Sequence, residues 1–369
     1  MAEGEDAPLP ERRTLRSGWT TGTCATAAAA AACEALFTGA FPDPVLVRLP
    51  RGGEVRLPLH RAELRLDAAL ASVIKDAGDD PDVTHGAEVV VSVSPAPAGT
   101  GVAFRAGEGV GRVTLPGLPI PPGEPAINPG PRAMIREAIA AVAARCGGRG
   151  DVTVTISIPG GEALAAKTLN GRLGILGGLS ILGTTGIVQP YSCAAWIHSI
   201  HRGIDVARAA GLGHVAAATG SVSEASVRRL YQLPEVALID MGDFAGGMLK
   251  YVKRHPLPRL TLAGGFGKLA KLAQGHLYLH SSKTQVDIGD LAAWLGSLGA
   301  PRHLVEECAA ATSAAQVLAR AEHSGLPLAS LVAERARAIA GAAVADETAI
   351  EVIVYDRVGR MLGRAGFER

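Results

Sequence analysis

Along the chain, apolar and polar positions switch between a period of two and a period near 3.6. Residues 44–59, PVLVRLP-RGGE-VRLPL, alternate on both sides of a Gly-Gly turn and predict a β-hairpin. Alternation returns in GAEVVVSVS (86–94), GVAFRAG (101–107) and DVTVTISIP (151–159), each a predicted strand. INPGPRAMIREAIAAVAARC (127–146) has helical spacing, with Pro131 suited to its first turn. WTTGTCATAAAAAAC (19–33) predicts a turn feeding a helix: Thr20, Thr21 and Thr23 are candidate N-caps, and alanine is the best helix former.

The rhythm changes in the second half. YSCAAWIHSIHRGIDVARAAG is helical in period, and short apolar runs then alternate with amphipathic helices. HVAAATG precedes SVSEASVRRLYQL, VALIDMG precedes DFAGGMLKYVKRH, and RLTLAGG precedes FGKLAKLAQ. Strand, Gly- or Ser-bearing turn, helix: repeated, this predicts βαβ units and a parallel sheet. Helices dominate residues 288–342, and EVIVYDRVGRMLG (351–363) predicts a closing hairpin. The expected fold class is α/β and α+β, an N-terminal mixed α+β domain followed by a Rossmann-like βαβ domain with a largely parallel sheet. The expected bounds are a disordered tail over 1–13, an α+β domain over 14–195, a Rossmann-like domain over 196–345 and a hairpin over 346–369. The hairpin is assigned to neither domain.

Composition narrows the functional classes. Lys+Arg and Asp+Glu nearly cancel (36 against 35), so no global field recruits nucleic acid or an anionic membrane, and an anionic ligand must meet local Arg and Lys clusters. The five cysteines form no CxxC pair and are odd in number, which argues against a disulfide framework and a structural zinc site. No signal peptide and no apolar run of membrane-spanning length is present, so a cytoplasmic protein is expected.

Three stretches carry candidate chemistry. KDAGDDPDVTHG (75–86) brings Asp76, Asp79, Asp80, Asp82 and His85 together. It fails as an EF-hand, because His85 stands where that loop needs glycine. Crowded carboxylates would raise one another's pKa, which suits general-base work, whereas a solvated acidic loop is the plain alternative. KTLNGRLGILGGLSILGTTGIVQP (167–190) mixes glycine with Leu and Ile, too apolar for a flexible linker. It suits an ordered loop whose backbone approaches a ligand or another chain segment, with Lys167, Asn170, Arg172, Thr184 and Thr185 offering donors. GGFGKLAKLAQG (264–275) follows a predicted strand: Gly265, Gly267 and Ala270 satisfy GxGxxA, and Asp287 lies 20 positions after Gly267. ATGS (218–221) lies at another strand-to-helix turn. Both turns predict nucleotide-like binding at the carboxyl edge of a sheet, through Thr219, Gly220, Ser221, Gly264, Gly265, Gly267 and Asp287. Cys24 is expected to pack rather than react, and the pair His198/His201 to serve a structural or surface role rather than bind metal.

Taken together, TTGTCATAAAA (20–30), KDAGDDPDVTHG, INPGPRAMI (127–135), TLNGRLGILGGLSILGTTGIV (168–188) and GGFGKLAKLAQG resemble the CbiD family, the cobalt-precorrin-5B (C-1)-methyltransferases of cobalamin biosynthesis. The resemblance implies transfer of a methyl group from S-adenosylmethionine to C-1 of a cobalt-containing tetrapyrrole, giving cobalt-precorrin-6A. Cobalt then belongs to the substrate, and the protein needs no metal of its own. Two positions depart from the family's pattern: Gly265 stands where many members have histidine, and Leu279 where many have threonine.

On this footing, Asp79, Asp80 and His85 are the expected proton acceptors, with Asp76 and Asp82 orienting them. Arg132, Lys167 and Arg172, with Asn170, Thr184 and Thr185, are expected to hold the substrate's carboxylates. The glycine turns and Asp287 are expected to hold the methyl donor. Expected partners are the corrinoid intermediate and either further copies of the chain or, transiently, neighbouring pathway enzymes. The competing readings are a non-catalytic corrinoid carrier and a nucleotide-binding Rossmann enzyme of other chemistry.

Overall fold

The alanine run forms helix α1 (Thr21–Thr38). Thr20 caps it by accepting from the Thr23 amide, and Gly39, at φ 78°, ends it in the left-handed conformation. From Thr21 to Cys33 every side chain of α1 is buried. A helix buried on all faces belongs inside a core, and the methyl side chains of Ala27 to Ala32 let this one lie close to its neighbours.

The computed structural model describes residues 15–344 and 346–368, so the expected tail over 1–13 lies outside the described residues. The chain gathers into two units. The first holds the described residues of Met1–Thr114, Pro119–Gly171 and Ile175–Ser192, and the second those of Leu115–Leu118, Arg172–Gly174 and Cys193–Arg369.

In the first unit, β1 (Gly18–Trp19) precedes α1, and the hairpin β2 (Val45–Arg48) and β3 (Glu54–Leu57) follows it. Next come β4 (Arg61–Leu64), β5 (Ala69–Ile74), β6 (Glu88–Pro95), β7 (Val102–Ala106), β8 (Arg112–Val113), helix α2 (Pro129–Cys146) and β9 (Val152–Ser157). A short helix α3 (Gly161–Ala165) leads to β10 (Ile175–Leu176) and β11 (Ile187–Val188). The main sheet runs β4-β5-β6-β9-β7, antiparallel except where β7 lies parallel to β9. Whereas β5 buries Ala69 to Val73 in succession, strand β9 alternates as the sequence does, burying Val152, Val154 and Ile156. Those side chains, with those of β5 and β6, meet α1 and α2 in one core.

The second unit starts with α4 (Cys193–Ala209) and continues β12 (Val215–Ala218), α5 (Ser221–Tyr231), β13 (Leu238–Asp240), α6 (Ala245–Arg254), β14 (Arg259–Gly265) and α7 (Phe266–Ala273). Helices α8 (Ile288–Ser297), α9 (Arg302–Ala309), α10 (Ala314–His323) and α11 (Leu328–Ala343) follow. The hairpin β15 (Ala349–Tyr355) and β16 (Met361–Glu368) closes the chain. The sheet order is β13-β12-β14-β15-β16, parallel except for the last pair. One face buries Val215, Ala217, Leu260, Leu262, Val352 and Val354 in a core shared with α6, α7 and α11. The other buries Ala216, Ala218, Ala263, Ile353 and Tyr355 with Val227 of α5. Both units thus mix helices with sheets of mixed strand orientation. Because β13 and β14 lie on opposite sides of β12, the sheet reverses its direction of growth between β12 and β14.

Candidate functional site

Four of the sequence motifs meet in the first unit. The amide of Thr20 donates to Gly186 O at 3.1 Å, that of Gly22 to Leu182 O at 2.9 Å, and that of Trp19 to Asp76 O at 2.7 Å. The Thr23 hydroxyl also donates to Gly186 O, at 2.7 Å. A Cβ on Gly22 would stand 2.7 Å from Pro131 Cγ, and one on Gly130 would stand 2.7 Å from Gly183 O. The start of α1, the start of α2, the glycine-rich stretch and the aspartate-rich turn therefore share one locus, although they span residues 20–188.

The aspartate-rich turn is organised by its own donors. Asp76 holds the Arg16 guanidinium with both oxygens, Arg16 Nη2 donating at 2.9 Å, and accepts from the Gly78 amide at 2.9 Å. Those hydrogen bonds, the one from Arg16 foremost, pull its carboxyl down to about 2. Asp82 meets Lys75 and accepts from the Thr84 amide at 2.8 Å and hydroxyl at 2.6 Å. Burial pushes its pKa upward, but Lys75 and Thr84 together bring it below the ordinary value. The expectation that crowding raises these pKa values is therefore overturned at Asp76 and Asp82, because each carboxylate faces a cation rather than another carboxylate. Asp79 accepts from the Arg16 amide at 2.7 Å, and Asp80 from the Tyr191 amide at 2.9 Å. His85 Nδ1 accepts from the Ala77 amide at 3.1 Å, which leaves its proton on Nε2.

The candidate substrate contacts divide. Asn170 is buried, its amide donating to Gly178 O at 3.3 Å and its carbonyl accepting from the Ser180 hydroxyl at 3.2 Å, so it ties the glycine-rich stretch together. The Thr185 hydroxyl donates to Ile187 O at 3.0 Å, while Thr184 and Lys167 are exposed. Arg132 donates to Ile127 O at 2.8 Å, to Pro125 O and Glu124 at 3.1 Å, and lies over the Phe104 ring. Arg172 belongs to the second unit, where it pairs with Glu224 through two 2.7 Å bonds.

In the second unit, Thr219, Gly220 and Ser221 follow β12, and Gly264 and Gly265 end β14. The two turns face one another closely: a Cβ on Gly264 would stand 2.8 Å from Thr219 Oγ1. Lys268, in the first turn of α7, donates to Thr219 O at 2.9 Å and lies 3.1 Å from Asp243 Oδ1. That carboxylate oxygen is buried and lacks a well-directed hydrogen bond. Asp287 ends no strand; it caps α8 by accepting from the Asp290 amide at 3.0 Å. Asp240, Asp243 and Glu224 were missed by sequence reasoning. The available signal was position: Asp240 and Asp243 end or follow the predicted strand in VALIDMG, and Glu224 sits in the first turn of the predicted helix that precedes that strand.

Cys24 is fully buried, and burial pushes its thiol up to about 12, so it packs rather than reacts. His201 stacks on Tyr251 with ring centroids 3.9 Å apart, and Tyr251 stacks on His255 at 4.0 Å. Among the described residues no group of three or more His, Cys, Asp or Glu gathers to hold a metal ion. Nor is any helix among them long and apolar enough to cross a membrane.

Family models match the two ends of the chain, and relatives match most of its length. The sequence model of the CbiD family matches residues 9–190, and that of the CbiD C-terminal domain matches residues 278–366. The cobalt-precorrin-5B C(1)-methyltransferase of a Bradyrhizobium species is 60% identical over 356 residues, 96% of this chain and 95% of that protein. The protein of the same name from Paramagnetospirillum magneticum is 57% identical over 97% of this chain and 100% of that protein, and that of Brucella canis 56% over 96% and 97%. A crystal structure of a cobalamin biosynthesis protein (cbiD) from Archaeoglobus fulgidus is 26% identical and covers 84% of this chain and 85% of its own, with a TM-score of 0.39. The chain belongs to the CbiD family.

Proposed function

We propose that this chain transfers a methyl group from S-adenosylmethionine to C-1 of cobalt-precorrin-5B, giving cobalt-precorrin-6A in cobalamin biosynthesis. The observation that carries the reading is 56–60% identity to cobalt-precorrin-5B C(1)-methyltransferases over nearly the whole length of each protein. When bound, the methyl donor supplies a carbon already activated on a sulfonium, so no Ser or Cys nucleophile is needed. The chain's own work is to position two ligands and remove one proton.

The proton falls to Asp79 or Asp80. Each spends one oxygen on a backbone amide, whereas Asp76 and Asp82 are held by Arg16 and Lys75. His85, protonated on Nε2, serves as a hydrogen-bond donor rather than as the base. Lys167 is exposed and takes no ion pair among the described residues, which leaves it free to meet the substrate's carboxylates. Arg132 and Asn170 hold the surrounding loops in shape.

The second unit is Rossmann-like in this reading and carries the methyl donor at the turns after β12 and β14. The buried Asp243 oxygen without a directed donor fits a polar ligand there. Anaerobic incubation of the protein with S-adenosylmethionine tests the reaction. S-adenosylhomocysteine is expected to accumulate only when cobalt-precorrin-5B is added; its absence in both mixtures overturns the assignment.

A further inference from the structure

In an open α/β sheet, ligands bind at the carboxyl ends of the strands where the order of growth reverses. Here that place is the crevice between β12 and β14. Its walls are open: a Cβ on Gly220, Gly265 or Gly267 would meet nothing within 4 Å. Lys268 spans its mouth, reaching from α7 to Thr219 O.

The strand beside β12 is β13, and its last residue, Asp240, stands in register with Ala218, the residue before the turn. Neighbouring strands lie about 4.8 Å apart, so the Asp240 carboxylate borders the turn. It follows Gly220 by 20 positions, the separation at which a nucleoside-binding βαβ unit places its ribose-binding acid. Burial and the neighbouring Glu224 push the Asp240 pKa upward, while Arg172, itself paired with Glu224, together with Lys268 and the Gly242 amide draws it back down. The half-exposed Trp196 donates its indole N–H to Asp240 O at 3.2 Å, fixing a flat apolar surface beside the acid. Asp287 has none of these relations, because it caps α8 rather than ending a strand.

We propose that Asp240 accepts hydrogen bonds from the ribose hydroxyls of the adenosyl methyl donor. This rests on the reading above that the second unit carries that donor. The turn after β12 then faces the amino-acid end of the donor, and Trp196 stands near its purine.

Calorimetric titration with S-adenosylhomocysteine tests the proposal without turnover. Asp240→Ala is expected to weaken binding about ten- to a hundredfold, the worth of hydrogen bonds to a charged acceptor. The 2′,3′-dideoxy analogue should bind the unaltered protein correspondingly less tightly, and Asp240→Ala should bind both ligands alike. Equal affinity of the unaltered protein for both ligands overturns the role of Asp240, whether or not the variant folds. So does undiminished binding of S-adenosylhomocysteine by a folded Asp240→Ala. If the unaltered protein binds neither S-adenosylhomocysteine nor S-adenosylmethionine, the donor reading itself falls, and this inference with it.

Discussion

Lys75 is 1% exposed, and its ammonium meets Asp82 and Thr84 at the base of the aspartate-rich turn. Removing one partner of such a pair strands the other in the core, so Asp82→Ala should cost about 3–5 kcal/mol of stability. Chemical denaturation measures that loss directly. Asp79 and Asp80 present the opposite case. Asp79→Asn and Asp80→Asn should leave the melting transition nearly unchanged, and the one that removes the base should lower turnover at least about a hundredfold. Full activity in both would remove the turn from the chemistry. Asp76 adds a pH dependence of known sign. Its folded pKa, about 2, lies below the unfolded value of about 3.9, so its stabilisation is present above the unfolded value and fades as pH falls towards the folded one. Asp76→Asn should therefore flatten the acid limb of a stability profile recorded between about pH 5 and pH 2. The density of carboxylates was legible in the sequence. Their division of labour was not, because Arg16 lies 60 positions before Asp76, and Tyr191 lies 111 positions after Asp80.

Among the elements, α1 shows how small side chains set a packing distance. Ala29 is fully buried in α1, which packs against β5, β6 and α2. Ala29→Leu forces three extra carbons into a close-packed layer, for which about 1–3 kcal/mol of destabilisation is expected, read as a lower denaturation midpoint. Two glycines separate fold from function. Gly178 has φ 158°, and a Cβ there would stand 2.3 Å from the Gly109 backbone, so Gly178→Ala should cost about 2–3 kcal/mol. Gly265 has φ −73° and open space around it, so Gly265→Ala should leave the denaturation midpoint unchanged. The hairpin over 44–59, the helix over 127–146 and the strand–helix alternation after residue 210 were legible, because each rests on local periodicity and turn residues. The parallel placement of β7 against β9 was not, since 45 residues and α2 intervene between their ends.

At the scale of the molecule, the two units use different logic to bring distant residues together. The first brings the aspartate-rich turn and the glycine-rich stretch to the starts of α1 and α2, and its glycines mark where the chain is closely packed. The second relies on strand order, which places the turns after β12 and β14 beside one another and Asp240 at their edge. Sequence spacing pointed to both turns but paired Gly267 with Asp287. Only the sheet order shows that the acid following Gly220 ends a neighbouring strand, whereas Asp287 begins a helix. Identity to cobalt-precorrin-5B C(1)-methyltransferases extends over 96% of the chain, and one experiment tests the proposal most directly. Purified protein is incubated anaerobically with cobalt-precorrin-5B and methyl-labelled S-adenosylmethionine, and the corrinoid is examined by mass spectrometry and carbon NMR. One labelled methyl group on C-1 is the predicted result. Tight corrinoid binding without label, or label on another carbon, would contradict it.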